Sequence, residues 1–302
     1  MTNWTFALIT PDGFLGGAFP QITRLIEQAG FDILVARPIV LDEETIRRLY
    51  ISPHPRPSTG GDVLIPVELF ADLYQITPGC LLILGRQQGD AINAMLRLKG
   101  HTRPELARPG TIRSIAENGF LNYSHCPDTP ADRDRELAIL TPDATNLQAI
   151  AESSNSDLTD LIGLPSLLDS AVVVGERNAI SFPATAIRLL RRAIALLATH
   201  ADEPTLTQLR TCRAALDTTA TNLDDNNTSQ ARMSTVQDAI PQAARPLTVI
   251  ASELGQPAIA EAVENLLFLF TTTGRPRGNV FPLALSPLER IVLDSHAHTH
   301  RL

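Results

Sequence analysis

The sequence predicts an α+β domain over residues 1–141 followed by a mostly α-helical domain over residues 142–302. Two observations carry this division. Up to Leu140, short apolar runs alternate with stripes of apolar residues at helical spacing, punctuated by proline and glycine. After Thr141-Pro142-Asp143 the strand-like runs stop and only helical periodicity remains.

The first element is a buried strand at residues 4–9, Trp-Thr-Phe-Ala-Leu-Ile. Residues 10–17 read as a loop through Pro11, Gly13, Gly16 and Gly17. Ile22, Leu25, Ile26 and Ala29 then fall on one helical face, and Gly30 is a stop. Residues 31–41 read as a strand, and Asp42 is placed to cap a short helix ending near Tyr50. Residues 51–62 are proline- and glycine-rich loop. A helix near 66–76, a strand at 80–84 and a helix at 89–98 follow. Residues 99–120 are irregular, 121–125 a short strand, and about 130–140 a helix. In the second half Ala186, Ile187, Leu190, Ile194 and Leu197 form an apolar stripe, with Arg188, Arg191 and Arg192 read as a solvated face. Residues 204–223, 230–254 and 257–272 also read as helices, with 222–230 a polar linker, which together suggest a bundle.

Composition narrows the function classes. A net charge of −8 disfavours a general nucleic-acid binder, which needs basic surface against phosphate. No apolar run approaches the roughly 20 residues needed to span a bilayer, so no membrane role is expected. Cys80, Cys126 and Cys212 have neither disulfide-framework nor zinc-ligand spacing, and the N-terminus lacks a secretory pattern. A cytoplasmic protein is expected. The basic residues are almost all arginine, and Lys99 is the one lysine.

The chemistry is spread over residues 5–136. Thr5-Phe-Ala-Leu-Ile-Thr-Pro-Asp-Gly13 leads to Ile26-Glu-Gln-Ala-Gly-Phe31 and Leu49-Tyr50. Gly100-His-Thr-Arg-Pro104 and Arg108-Pro-Gly-Thr-Ile-Arg113 follow. Asn122-Tyr-Ser-His-Cys-Pro-Asp128 and Glu136 complete the series. In order and approximate spacing these segments resemble the nucleoside diphosphate kinase family over a little under half the chain. The resemblance implies a ferredoxin-like antiparallel sheet with covering helices. It implies that His125 carries the phosphoryl group and that Glu136 bonds the imidazole, fixing its tautomer. It also implies phosphate or ribose contacts from Arg113, Thr102 and Asn122, with Tyr50 close to the transferred group. Asp128 belongs to the same nucleotide-binding set. Arginine suits phosphate because its planar fork donates two parallel hydrogen bonds. Mg2+ would come with the nucleotide rather than in a protein cage.

The chain departs from the family pattern at the phosphate and base contacts. Thr10 stands where the family has a lysine before the Pro-Asp pair, leaving one hydroxyl in place of a charge. The family's phosphate-binding arginine falls at Leu96, and Arg97 is offset by one, a rotation of about 100° on a helix. The 51–77 segment is longer than its equivalent, and Arg56 within it is a candidate replacement charge. Cys126-Pro127 replaces Gly-Ser.

The expected function is a nucleotide-dependent phosphotransferase that moves the terminal group of a nucleoside triphosphate through phospho-His125 to a nucleoside diphosphate or related small acceptor. The alternative is a degenerate nucleotide-binding regulatory or scaffolding protein. The helical half has three readings: an oligomer interface, a cover over the site, or a partner surface; a homo-oligomer is the expectation. His296, His298 and His300 would share one face of a strand and could bind metal, but a disordered tail is the preferred reading and no protein metal site is expected. Gly13–Gly17 lacks the lysine of a P-loop, and Gly274–Gly278 reads as a loop.

Overall fold

The computed structural model describes residues 3–50, 67–153, 178–224, 233–234, 236–271, 283 and 285–299. The chain divides into two compact units, Met1–Arg177 and Asn178–Leu302. The first unit therefore runs beyond the expected division at residue 141. The helix responsible is α7, Ala144–Ser153, which packs on three strands of the first unit's sheet.

That sheet has four strands: β1 Asn3–Ile9, β2 Asp32–Ile39, β3 Gly79–Arg86 and β4 Ser124–His125. Their spatial order is β2-β3-β1-β4, and every pair is antiparallel. The expected ferredoxin-like antiparallel sheet is what forms. β3 is central, and its residues from Gly79 to Gly85 are all buried. A strand buried without alternation is covered on both faces, which explains the run Cys-Leu-Leu-Ile-Leu.

The helices are α1 Pro11–Leu15, α2 Phe19–Gln28, α3 Glu43–Tyr50, α4 Val67–Ile76, α5 Ala91–Lys99 and α6 Pro130–Leu140, besides α7. Two 3-10 turns, Pro104–Leu106 and Ile112–Ile115, punctuate the segment between α5 and β4. Sequence signals for their ends are met locally. The Asp90 carboxylate accepts from Asn93 N at 3.1 Å and caps α5. Thr129 Oγ1 accepts from Asp132 N at 3.1 Å and caps α6, whose first residue is Pro130.

Two expectations are corrected here. Residues 11–15 are not loop but a helical turn, started by Pro11 at its first position and stopped at Gly16. The strand expected at 121–125 is confined to Ser124 and His125, because Tyr123 takes φ 72° and cannot continue a ladder.

The second unit contains α8 Phe182–Ala198, α9 Glu203–Asp224, α10 Ala239–Glu253, α11 Pro257–Thr271 and α12 Pro287–Thr299. α8 packs against each of the other four. Its apolar stripe is the buried face expected, with Ala186, Leu190 and Leu197 wholly enclosed. The arginines opposite are not simply solvated. Arg192 donates to Glu289 Oε1 at 3.2 Å and to Leu283 O at 2.8 Å, and Arg191 donates to Asp217 at 2.8 Å. The tail expected around His296 is also corrected: α12 runs through Thr299, and the His296 ring stacks on Phe182 at 3.6 Å. His300, the 51–66 loop with Arg56, most of the 222–230 linker and Gly274–Gly278 lie outside the described residues.

Candidate active site

The site is built at the edge of the sheet where β4 meets β1. Leu8 pairs with His125 and Ile9 with Ser124. Just upstream, Tyr123 is held in its positive-φ conformation from two directions. Its carbonyl accepts from Thr10 N at 3.1 Å, and its N–H donates to Asp12 Oδ2 at 2.8 Å. A non-glycine residue at positive φ costs roughly 1–3 kcal/mol and persists only where surroundings impose it. The Thr-Pro-Asp turn imposes it here, and β4 begins at the next residue, Ser124, with His125 paired to Leu8. Asp12 is buried, and that burial raises its carboxyl to about 6 despite bonds from Thr10 and Tyr123.

His125 and Glu136 are brought together as the motif implied. His125 Nε2 lies 2.8 Å from Glu136 Oε2, and the Glu136 side chain is 1% exposed. Glu136 Oε1 accepts from Arg135 at 2.8 Å. With Arg135 donating to its other oxygen, Glu136 is placed to accept from an Nε2–H, the tautomer that leaves the lone pair on Nδ1. Burial pushes the His125 pKa below its ordinary value, and it outweighs the opposing pull of Glu136. The imidazole is thus held in one orientation with its cation disfavoured.

Tyr50, the last residue of α3, meets the His125 ring edge-on with centroids 5.1 Å apart and stacks on Phe70. Burial pushes its phenol far above the usual range, so it remains a proton donor. Arg113 is buried beneath the site. It donates to Thr102 Oγ1 and to Ser124 O, both at 3.0 Å, while its Nε has no partner in the structure. Asp128 is half-exposed at the rim. These residues, with Thr10, surround or brace the β4 edge.

Two sequence candidates sit differently. Arg97 is exposed, on the side of α5 away from its buried residues. Asn122 donates its amide to Gly119 O at 2.7 Å and so closes its own turn. Two residues were missed. Arg135 was signalled only by adjacency to Glu136. Lys99 was signalled by being the one lysine, immediately before the Gly100 that ends α5. It is buried, and its Nζ contacts Cys126 O and Asp128 Oδ1, each at 3.4 Å. Cys126 itself is buried, which pushes its thiol up and disfavours the thiolate.

Residues 3–145 match the nucleoside diphosphate kinase family model. The nucleoside diphosphate kinase of Deinococcus radiodurans is 30% identical over 141 residues, covering 46% of this chain and 94% of that protein. The chain belongs to the nucleoside diphosphate kinase family. The Corynebacterium diphtheriae nucleoside diphosphate kinase is 33% identical over 145 residues, covering 47% of this chain and 98% of its own. A solved Aquifex aeolicus nucleoside diphosphate kinase aligns at 23% identity and TM-score 0.39, over 47% of this chain and 96% of that one. Nucleoside diphosphate kinases act on nucleotides. The matched region ends near the start of α7, so the helical unit is an addition outside it. Among the described residues, no helix is long and apolar enough to cross a membrane.

Proposed function

We propose that the chain is a phosphotransferase that carries the terminal phosphoryl group of a nucleoside triphosphate on His125 and delivers it to a nucleoside diphosphate or related small acceptor. The observation that carries this reading is the 2.8 Å bond between His125 Nε2 and the buried Glu136. It leaves Nδ1 as the nucleophile. The Nδ1 lone pair attacks the γ-phosphorus in line, the N–P bond forms, and the P–O bond to the departing diphosphate breaks. In the second half an acceptor phosphate oxygen attacks the same phosphorus and the N–P bond breaks, restoring the neutral ring. Glu136 holds the Nε2 proton throughout and stabilises the cationic phosphoimidazole.

Tyr50 and Arg113 are suited to hydrogen-bond phosphate oxygens, Arg113 through its unpartnered Nε. Thr102 and Asp128 stand at the exposed rim, where sugar and phosphate hydroxyls would pass. Thr10 offers a hydroxyl, and Arg97 and Asn122 would need to turn inward to take part. Among the described residues no group of three His, Cys, Asp or Glu stands ready for a metal. Mg2+ would enter with the nucleotide, on its phosphate oxygens, neutralising charge there. The three cysteines are free and buried, which fits a reducing cytoplasm. Assembly as a homo-oligomer belongs to the same proposal, motivated by the added helical unit.

The test is incubation with γ-labelled ATP and Mg2+. Acid-labile, base-stable label on the wild type and none on His125→Ala is the expected result. Nucleotide binding without label from any common triphosphate would overturn the proposal and leave a regulatory binder.

A further inference from the structure

Twenty-five basic residues are present, and Lys99 alone is a lysine. It is also the basic residue in the least natural place. Lysine is among the side chains least often buried, because its compact ammonium is strongly hydrated. Here the side chain is only 11% exposed, and its carboxylate partner Asp128 is 39% exposed. Both Nζ contacts are 3.4 Å long, well beyond the roughly 2.7–2.9 Å of a firm charge-assisted bond. A fold that needed only an anchor at this point would obtain more from a tight pair, or from an apolar residue.

Its surroundings suggest what the charge is for. Cys126, whose carbonyl it touches, directly follows His125. Lys99 and Arg113 are the cations whose fields act on the imidazole. Arg113 has already committed both terminal nitrogens to Thr102 and Ser124. Arg135 is committed to Asp132 and Glu136. Arg97 is on the exposed side of the same helix, and Thr10 is neutral. Lys99 has three rotatable donors, long contacts and a flexible stem, so it can re-aim without breaking a strong bond.

We propose that Lys99 is the mobile cation of the site: its ammonium leaves the Cys126 carbonyl and Asp128 to contact the terminal phosphoryl group of a bound triphosphate as that group passes to and from His125. This assignment rests on the phosphotransfer reading. It makes Lys99 a determinant of triphosphate over diphosphate recognition, in a site whose Thr10 supplies no charge.

The test compares full-length wild type, Lys99→Gln and Lys99→Arg. Binding of β,γ-methylene ATP and of ADP is measured with Mg2+, alongside single-turnover phosphorylation of His125 by ATP. Lys99→Gln should weaken the triphosphate analogue about 10-fold and ADP less than about 2-fold, and should slow phosphorylation about 100-fold. Lys99→Arg should retain most of the discrimination. Equal weakening of both ligands, or of neither, would overturn the assignment. The wild type supplies a readout that needs no variant to fold. With a single lysine, acetic anhydride followed by peptide mass analysis reports Lys99 directly. The triphosphate analogue should slow its acetylation at least about 5-fold and ADP should not; an amine unaffected by nucleotide, whether reactive or inert, sinks the proposal. If the wild type takes up no phosphate at all, the phosphotransfer reading fails, while the ligand discrimination and footprint still decide the role of Lys99.

Discussion

At His125 two effects oppose one another. Burial strips the ring of water and disfavours its cation, while the Glu136 carboxylate favours it. Burial wins, so the neutral ring is favoured over its cation. The acid limb of His125 phosphorylation is therefore expected below the ordinary histidine value of about 6.5. Glu136→Gln should move that limb lower still, because the group that raises the pKa is gone. It should also slow phosphoryl uptake by roughly 10–100-fold, the worth of a hydrogen bond to a charged group. A pH–rate profile of both proteins measures this. A limb that stays put in the variant would mean Glu136 does not act on the ring. The linked stability follows the same sign: it is full above about 6.5 and declines as pH falls toward the lowered folded value.

Asp12 titrates the other way. Its carboxyl is raised from 3.8 to about 6, so the stability it allows is full below about 4 and is lost as pH rises through about 6. Asp12→Asn keeps an oxygen for Tyr123 N and removes the buried charge. Its melting temperature is expected to gain on the wild type as pH rises from 4 to 7, by the equivalent of about 2–3 kcal/mol at most. An unchanged difference across that range would show that Asp12 is not buried as a raised acid. The Pro-Asp-Gly segment was legible as motif, yet the clamp on Tyr123 was not. That clamp joins residues 111 positions apart, and no local pattern encodes such a bond.

On the scale of elements, the end of α5 decides which basic residue lies next to the His125 segment. Gly100 has φ 83°, and a Cβ there would lie 2.5 Å from Thr111 Oγ1. Glycine therefore stops the helix and lets the 108–113 segment close over it. Gly100→Ala is expected to cost upwards of about 2 kcal/mol, read by urea unfolding. A cost under about 0.5 kcal/mol would show that the turn relaxes freely. The helix was legible from its apolar spacing, and Ala91, Met95 and Leu98 do form its buried face; what was not legible is that Lys99 joins them. Arg97 and Lys99 both border that stripe, and only the sheet underneath makes one side of it interior. The short β4 has a similar cause: residues 121–125 are apolar enough for a strand, and the positive φ at Tyr123 cuts it to two residues.

Over the whole molecule, the helical unit shows how far composition misleads about charge. Glu289 is 5% exposed and receives Arg192, with Arg188 nearby at 3.8 Å. Burial alone would raise its pKa, but bonds from Ser286 and Arg192 outweigh that and hold it low. Ser286 and Glu289 also cap α12 reciprocally, Ser286 N donating to Glu289 Oε2 and Glu289 N to Ser286 Oγ. Glu289→Ala is expected to destabilise this unit by about 2–3 kcal/mol, since it takes the buried carboxylate away from the half-exposed Arg188 and Arg192 and removes a cap. Thermal unfolding of the full chain followed by circular dichroism measures it. A loss under about 1 kcal/mol would make the cluster a surface pair.

The sequence by itself determined the α+β first unit, the order of its elements apart from α1, its family and the pairing of His125 with Glu136. Those features rest on local periodicity and on a motif whose members keep their spacing. Tertiary structure decided where the first unit ends, which of two nearby basic residues lies beside the His125 segment, and that the histidine-rich end is helix. Each of those depends on what packs against the segment. α7 belongs to the first unit because it rests on the sheet, Lys99 faces inward because α5 packs on β1 and β3, and His296 is held in the helix where its ring stacks on Phe182.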